Sequence, residues 1–138
     1  MLQILVFPHP TLRHQTKPVR HVDTELRKNV RQMFDLMYEA RGVGLAGNQV
    51  DLPLRLFIAN LACDPEEGEE YVFINPVISR AKGMDEQDEG CLSLPEMHGA
   101  VKRPETVHIQ AFDLNGEEVN AELSGLFARV AQHETDHL

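Results

Sequence analysis

The sequence has few of the features that mark a disulfide scaffold, a membrane span or a nucleic-acid surface. Its two cysteines are far fewer than a small secreted scaffold needs. No apolar run approaches the roughly 18–20 residues of a membrane span, and the N-terminus has no basic leader. Its 13 basic residues against 22 acidic ones give a net charge of −9, which argues against nucleic-acid binding. We therefore expect a cytoplasmic protein.

The remaining composition is typical of one globular domain. Apolar residues make up 42% of the chain and charged residues 25%. A length of 138 residues fits one domain and is too short for two. We therefore expect a single domain over residues 1–138.

A helix is predicted in the N-terminal half. Apolar residues recur at spacings of three and four from Val22 to Ala40, which places them on one face of a core helix. Asp23 or Thr24 can cap its start, and Gly42 is expected to end it.

The rest of the chain is predicted to be mostly strand. Four segments have strand-like composition or alternation: residues 54–59, 71–78, 107–114 and 117–123. The last two flank Asn115-Gly116, the strongest short hairpin signal, and Ser124 is expected to cap a second helix. The predicted fold class is α+β. Mostly antiparallel strands pack around a C-terminal metal-binding helix, with one further helix in the N-terminal half.

The C-terminal helix carries the pattern H-E-x-x-H at residues 133–137. His133 and His137, one turn apart on one face, can bind the same cation, and Glu134 can serve as general base. Leu126 and Val130 are predicted to share this face with the two histidines. Burying two imidazoles without partners costs roughly 1–3 kcal/mol each, so a metal explains the pattern better than two core histidines.

A catalytic metal site needs a third protein ligand. Only Leu138 follows His137, so this ligand must come from upstream. Cys91, in a predicted short apolar strand that Gly90 precedes, would be a soft and strong ligand; the alternative is a small buried hydrophobic residue. The other five histidines are scattered without a supporting pattern.

A glycine-rich stretch follows the first predicted helix. Three glycines between residues 42 and 47 would let the backbone approach a ligand closely. A phosphate loop is the rival interpretation. It is weak because we expect no strand before the stretch and no helix after it, and no Lys-Ser/Thr pair ends it. Gln49 could donate to an oxyanion or could be an ordinary loop amide.

Three segments together resemble the signature motifs of the peptide deformylases. They are Gly-Val-Gly-Leu-Ala-Gly-Asn-Gln at residues 42–49, Glu-Gly-Cys-Leu-Ser-Leu-Pro at residues 89–95 and Gln-His-Glu-Thr-Asp-His-Leu at residues 132–138. Leu12-Arg13 and Arg103-Pro104 also match, so the resemblance runs from end to end. It implies a metallo-amidohydrolase that removes the formyl group from the N-terminal formylmethionine of nascent polypeptides and releases formate.

The resemblance also implies residue roles. The metal ligands would be Cys91, His133 and His137. The catalytic groups would be Glu134 as general base and acid, with Gln49 and the backbone N–H of Leu92 as the oxyanion pocket. The residues lining the substrate cleft would be Val43, Gly44, Gly90, Leu126 and Val130. The cofactor would be one divalent metal ion: Fe(II) in vivo, with Ni(II), Co(II) or Zn(II) as other occupants of the purified protein.

Several positions depart from the family pattern. Gly47 and Asn48 stand where the family usually has Ala and often has Pro, and we expect both to loosen the loop that aims Gln49. Gln87 and Arg129 are more polar than usual at positions that help line the methionine pocket, so a relaxed methionine preference is expected.

Three further hypotheses concern an ion pair, the C-terminus and ribosome association. Glu89 and Arg103 are expected to form a buried ion pair that holds the cysteine loop. Typical members continue beyond the histidine motif with a helix credited with ribosome docking. A stop at Leu138 indicates either a trimmed chain or a minimal form such as a phage-borne copy, and gives little reason to expect ribosome association.

The expected partners are formylmethionyl peptides, with no nucleic acid and no membrane. Two alternatives remain open. One is an H-E-x-x-H zinc peptidase, and the other is a catalytically impaired, metal-stabilised module that binds formylated or nascent chains.

Overall fold

The structure, a computed structural model, describes residues 2–4, 16–91 and 94–138, and of residues 85–102 it describes the backbone alone. The elements in chain order are α1 Thr24–Glu39, β1 Gly44–Ala46, a 3₁₀ helix Gly47–Val50, β2 Leu56–Ala59, β3 Tyr71–Lys82, β4 Asp85–Cys91, β5 Leu94–Arg103, β6 Thr106–Phe112, β7 Glu118–Ser124 and α2 Gly125–His137. The predicted α+β class is confirmed.

Helix α1 begins where the sequence predicts. The side chain of Asp23 accepts a hydrogen bond of 2.8 Å from the backbone N–H of Leu26. At the other end Gly42 N donates to Met37 O at 2.9 Å, and the left-handed backbone falls on Arg41, with φ 59°, rather than on the predicted Gly42. Its buried face consists of Leu26, Val30, Met33, Phe34 and Met37.

Five of the strands form one antiparallel sheet in the order β1-β2-β3-β6-β7. The predicted hairpin joins β6 to β7, but its turn is longer than a two-residue Asn-Gly turn. Gly116 N donates to Asp113 O at 3.0 Å, and the last paired residues are Phe112 and Glu118. The hairpin was therefore predicted correctly and its turn type was not.

Two strands were not predicted from the sequence. Strand β1 has three residues, too few to show an alternating pattern, and it lies in the stretch expected to lack a strand. The 3₁₀ helix that follows it was also unexpected. Strand β5 pairs with β4 in a separate two-stranded sheet, whereas the sequence predicted only a short strand around Cys91.

The five-stranded sheet separates two apolar clusters. On β2, Leu56 and Ile58 pack with α1, while Phe57 belongs to the cluster that contains Ala128 and Ala131 of α2. This is the period-two alternation of a strand buried on both faces. Burial of each large side chain contributes about 1.5–3 kcal/mol, so the sheet anchors both helices.

Helix α2 differs from the prediction at its start. Ser124 occupies the N-cap position, but within the described part of the chain its side chain makes no capping hydrogen bond. Leu126 is 50% exposed although Val130 on the same predicted face is buried. In the described parts of the chain no helix is long and apolar enough to cross a membrane.

Candidate metal centre

The two histidines of α2 face each other across a gap that suits one cation. His133 Nε2 and His137 Nε2 are 3.4 Å apart. Two nitrogens bound at about 2.0–2.1 Å to one tetrahedral ion are separated by about 3.3 Å, so the observed spacing fits a shared metal. In the described residues, ligand atoms of His133, Glu134 and His137 all lie within 4.8 Å of one another. The donor set therefore fits a divalent ion.

His137 is held in the form that can bind a metal. The pKa of His137 is lowered to about 4, mainly by burial and also by the neighbouring His133 and by Arg103, against an opposing effect of Asp136. The imidazole is therefore neutral at physiological pH and keeps a lone pair for coordination.

Glu134 lies beside the two imidazoles and under strand β1. Its side chain is buried, and its Oε1 lies 3.8 Å from His133 Nε2. A Cβ added at Gly44 would lie 3.0 Å from Glu134 Cγ and 2.9 Å from Val130 Cγ1. Glycine at position 44 thus permits β1 and α2 to approach this closely. The fold brings the predicted residues Gly44, Val130 and Glu134 together.

Gln49 is held firmly at the edge of this group. Its Oε1 accepts a hydrogen bond of 2.8 Å from Ala46 N, and the side chain is buried. Because the carbonyl end of the amide is occupied in this way, its donor end faces away from Ala46. A Cβ at Gly47 would lie 2.7 Å from Leu52 O and 2.8 Å from Leu54 O. The backbone around Gly47 is thus closely packed, whereas the sequence suggested that Gly47 would loosen the loop that aims Gln49.

Asn48 is the residue whose role the sequence analysis missed. It is fully buried, and its Nδ2 donates to the backbone carbonyl of His137. It therefore links the 3₁₀ helix to the turn that carries a predicted metal ligand. In the sequence it stood out only as a departure from the family pattern, expected to loosen the loop that aims Gln49.

Arg103 also reaches the metal-binding helix. Its Nη1 donates to Asp136 Oδ2 at 2.7 Å, and Asp136 lies between the two histidines. The side chain of predicted partner Glu89 lies outside the described residues, and the strand register pairs Glu89 with Gly99. The ion pair between Glu89 and Arg103 stays a prediction.

The cysteine segment is described only in part. Gly90 and Cys91 end β4, and the backbone of Cys91 pairs with Leu94. The side chain of Cys91 and the whole of Leu92 lie outside the described residues, so their roles as ligand and oxyanion donor stay predictions. The side chain of Gln87 also lies outside the described residues, so its place in the methionine pocket stays a prediction.

The other predicted cleft residues lie at either end of this region. Val43 directly precedes β1, and its carbonyl accepts a hydrogen bond of 3.0 Å from Asn60 N. Leu126 lies in the first turn of α2 and is half exposed, whereas Arg129 is buried.

An antiparallel α+β fold carries two convergent imidazoles and an adjacent buried carboxylate on one helix. This combination defines the class of metal-dependent hydrolases.

Comparison with known proteins narrows this class. A model of the polypeptide deformylase family matches residues 1–138. The peptide deformylase of Rhodopirellula baltica is 56% identical over 137 residues, a match that covers 99% of this chain and 68% of that protein. Chloroplastic peptide deformylase 1B of Solanum lycopersicum is 46% identical, with 99% of this chain and 50% of the tomato protein covered. This chain thus spans half the length of the tomato relative.

Solved structures agree with these relatives. A plant peptide deformylase matches with a TM-score of 0.95 and 42% identity, over 99% of this chain and 74% of that one. The enzyme of Thermotoga maritima matches with a TM-score of 0.93 and 37% identity, over 100% of this chain and 91% of that one.

The chain belongs to the polypeptide deformylase family. Peptide deformylases are metallo-amidohydrolases that remove N-formyl groups from nascent polypeptides. The predicted family and enzyme class are confirmed, and neither the zinc peptidase nor the impaired binding module is favoured.

Proposed function

We propose that this chain hydrolyses the N-formyl group of formylmethionyl peptides at one divalent metal ion held by Cys91, His133 and His137. The convergence of donor atoms from His133, Glu134 and His137 within 4.8 Å is the observation that carries the proposal. Fe(II) is the ion we propose in vivo, on the family resemblance. The thiolate and two imidazoles of this ligand set also suit Ni(II), Co(II) and Zn(II).

The bound ion would supply Lewis-acid polarisation and would lower the pKa of water toward about 7. Glu134 accepts the proton from the attacking water and returns it to the leaving amine, so one carboxylate acts first as base and then as acid. Its burial beside His133 and Gly44 supports this role, because a buried carboxylate is shielded from competing solvent.

The developing negative charge on the formyl oxygen would be stabilised by two donors. The side-chain amide of Gln49 and the backbone N–H of Leu92 are the proposed pair. The hydrogen bond from Ala46 N to Gln49 Oε1 supports this role, since it sets the orientation of the amide before substrate binds. One such preorganised donor is typically worth about 2.7–4 kcal/mol of the activation barrier.

The peptide part of the substrate would extend the five-stranded sheet. Strand β1 stands at one edge of the strand order, so its outer backbone groups can pair with an added strand. Val43, Gly44 and Gly90 would line this strand, while Leu126 and Val130 would contact the methionine side chain. Half-exposed Leu126 fits a residue that a substrate covers.

The remaining proposals concern partners and organisation. Formylmethionyl nascent chains are the proposed substrates, and residues 1–138 would act as a single catalytic domain in the cytoplasm. The sheet supports a single domain because its two faces carry both helices. The excess of acidic residues supports the absence of direct nucleic-acid binding.

The test is formate release from formyl-Met-Ala by anaerobically purified protein whose metal content is measured in parallel. We expect formate release by the wild type and its loss in Glu134→Ala, with the metal retained because Glu134 is not a proposed ligand. Internal cleavage of unformylated peptides would favour a peptidase. Binding of formyl peptides without formate release would favour the impaired module, and either result would contradict the proposal.

A further inference from the structure

Asn48 makes a contact that couples the 3₁₀ helix to the end of α2. Its Nδ2 donates to the backbone carbonyl of His137, and the residue is fully buried. The last carbonyls of a helix lack N–H partners inside the helix and depend on other donors. Asn48 supplies such a donor to the residue whose imidazole faces His133.

The same side chain has a feature that stability alone does not explain. Among the described side chains and backbone groups, no donor reaches the buried Oδ1 of Asn48. A buried acceptor without a partner destabilises the folded state, and an apolar side chain of similar size would avoid this penalty. The hydrogen bond that the Asn48 amide donates to the His137 carbonyl therefore has a role that offsets the destabilisation by the unpaired Oδ1.

The neighbouring contacts make Asn48 rigid enough for such a use. The carbonyls of Leu52 and Leu54 leave no room for a side chain at Gly47, and the side-chain carbonyl of Gln49 accepts a hydrogen bond from Ala46 N. Because both chain neighbours of Asn48 are fixed in this way, its side-chain donor can restrain the final turn of α2, which would otherwise fray.

We propose that Asn48 is a positioning residue that holds the His137 carbonyl and thereby keeps the final turn of α2 in the conformation in which His133 and His137 share one metal ion. A binding-competent conformation that is populated before binding raises the apparent affinity, because less of the binding energy is used for ordering. The inference rests on the metal site of the proposed function.

The test compares Asn48→Leu with the wild type, both loaded with Zn(II). Leucine has the same number of side-chain heavy atoms and the same branching at Cγ as asparagine, but it has no donor. We expect Zn(II) to be released to a chromogenic chelator about tenfold faster, in line with other contacts that orient metal ligands. In the metal-free protein we expect faster amide hydrogen exchange in residues 133–138, with a melting temperature equal to or above that of the wild type.

Asn60→Ala is the matched control. Asn60 is also fully buried, but its Nδ2 donates to Tyr38 Oη and to the carbonyls of Asp64 and Glu67, none of which is on α2. This variant should lose thermal stability equally with and without Zn(II), and its rate of Zn(II) release should stay within about twofold of the wild type.

Unchanged Zn(II) release from Asn48→Leu, or an equal drop in melting temperature with and without Zn(II), would overturn the positioning role. Asn48→Ala serves as the second variant. If neither variant folds, Asn48 is required for the whole fold and the proposal is wrong. Faster release from the Leu variant, without formate release by the wild type, would retain this inference and reject the proposed function.

Discussion

At the scale of single residues, the space around Glu134, the proposed general base, is tightly limited. Gly44 and Glu134 come from strand β1 and helix α2, and no side chain fits between them without displacing the carboxylate or Val130. A general base must stay within hydrogen-bonding reach of the proton it takes, so small shifts have large consequences for rate.

Gly44→Ala tests this requirement. The new Cβ would lie 3.0 Å from Glu134 Cγ and 3.3 Å from Glu134 Cδ, which must move away. We expect kcat/KM for formyl-Met-Ala to fall about 10- to 100-fold, because a misplacement of about 1 Å can cost that much. We expect only a small fall in the melting temperature, since the side chains of Glu134 and Val130 can rotate away from the new Cβ.

Gly116→Asn is the control for this variant. Gly116 has φ 77°, a backbone conformation that asparagine tolerates, and a Cβ there would meet no atom within 4 Å. Its kcat/KM should match the wild type. Equal activity of the Gly44→Ala variant and the control would show that Glu134 is not placed by β1.

At the scale of elements, the end of helix α2 carries the two proposed histidine ligands. His137 lies in the final turn, where helices have the fewest internal hydrogen bonds. The turn is held by Asn48 on one side and, through Asp136, by Arg103 at the end of β5 on the other. A metal bound by both histidines would add a third restraint.

Metal removal should therefore destabilise the protein. At a free metal concentration about 1,000 times the dissociation constant, binding contributes about 4 kcal/mol to the free energy of unfolding. For a chain of this size we expect a strong chelator to lower the melting temperature by on the order of 10 °C. An unchanged melting temperature, with metal loss verified by elemental analysis, would count against the site.

The contact between Arg103 and Asp136 gives a second test at this scale. Arg103 is mostly buried, whereas the side chain of Asp136 is 68% exposed, so we expect a coupling energy of at most about 1 kcal/mol. A double-mutant cycle with Arg103→Ala and Asp136→Ala, followed by urea unfolding, measures it. A parallel cycle with Glu89→Ala tests the predicted ion pair.

The two cycles distinguish the possible partners of Arg103. Coupling to Asp136 alone would reject the pair with Glu89, while coupling to Glu89 alone would reject the contact with Asp136. If Arg103→Ala leaves metal content and activity unchanged, neither contact contributes to holding the site.

At the scale of the whole molecule, the five-stranded sheet lies between two apolar clusters, one that contains residues of α1 and one that contains residues of α2. One charged network ties α1 to the segment before β3. Arg31 donates to both oxygens of Glu70 at 3.0 Å, and Tyr38 Oη donates to Glu70 Oε2 at 2.6 Å. Burial alone would raise the pKa of Glu70, but the hydrogen bonds from Arg31 and Tyr38 lower it below its ordinary 4.5.

This lowered pKa sets the direction of a pH effect. Ionised Glu70 stabilises the fold at pH values above about 4.5, and the contribution is lost as the pH falls through the lower folded-state value. Glu70→Gln should therefore lower the free energy of unfolding at pH 7 by less than about 1 kcal/mol, since Arg31 is half exposed.

Urea unfolding of wild type and Glu70→Gln at pH 7 and at pH 3 checks this. The difference between the two proteins should shrink at the lower pH, because protonation of Glu70 makes it more like the uncharged glutamine. A difference that grows as the pH falls would contradict the assigned role of Arg31.

The sequence predicted the elements whose pattern is local. The apolar stripe of α1 and the pair His133 and His137 follow from spacings of three or four residues, and the strands around Phe57 and Phe73 follow from their local composition. The three-residue strand β1 and the partner strand β5 did not follow, because β1 is too short to show periodicity and β5 is defined by its pairing with β4.

By itself, then, the sequence determined which residue types stand one helical turn apart, and it thereby predicted a cation site and a base on the C-terminal helix. The family resemblance needed the two upstream motifs as well. Only the tertiary structure decided that Gly44 faces Glu134, that Asn48 reaches the His137 carbonyl and that Arg103 reaches Asp136. Each of these contacts joins residues more than 30 positions apart. Such approaches depend on how the sheet and helices pack, and no periodicity in the chain encodes them.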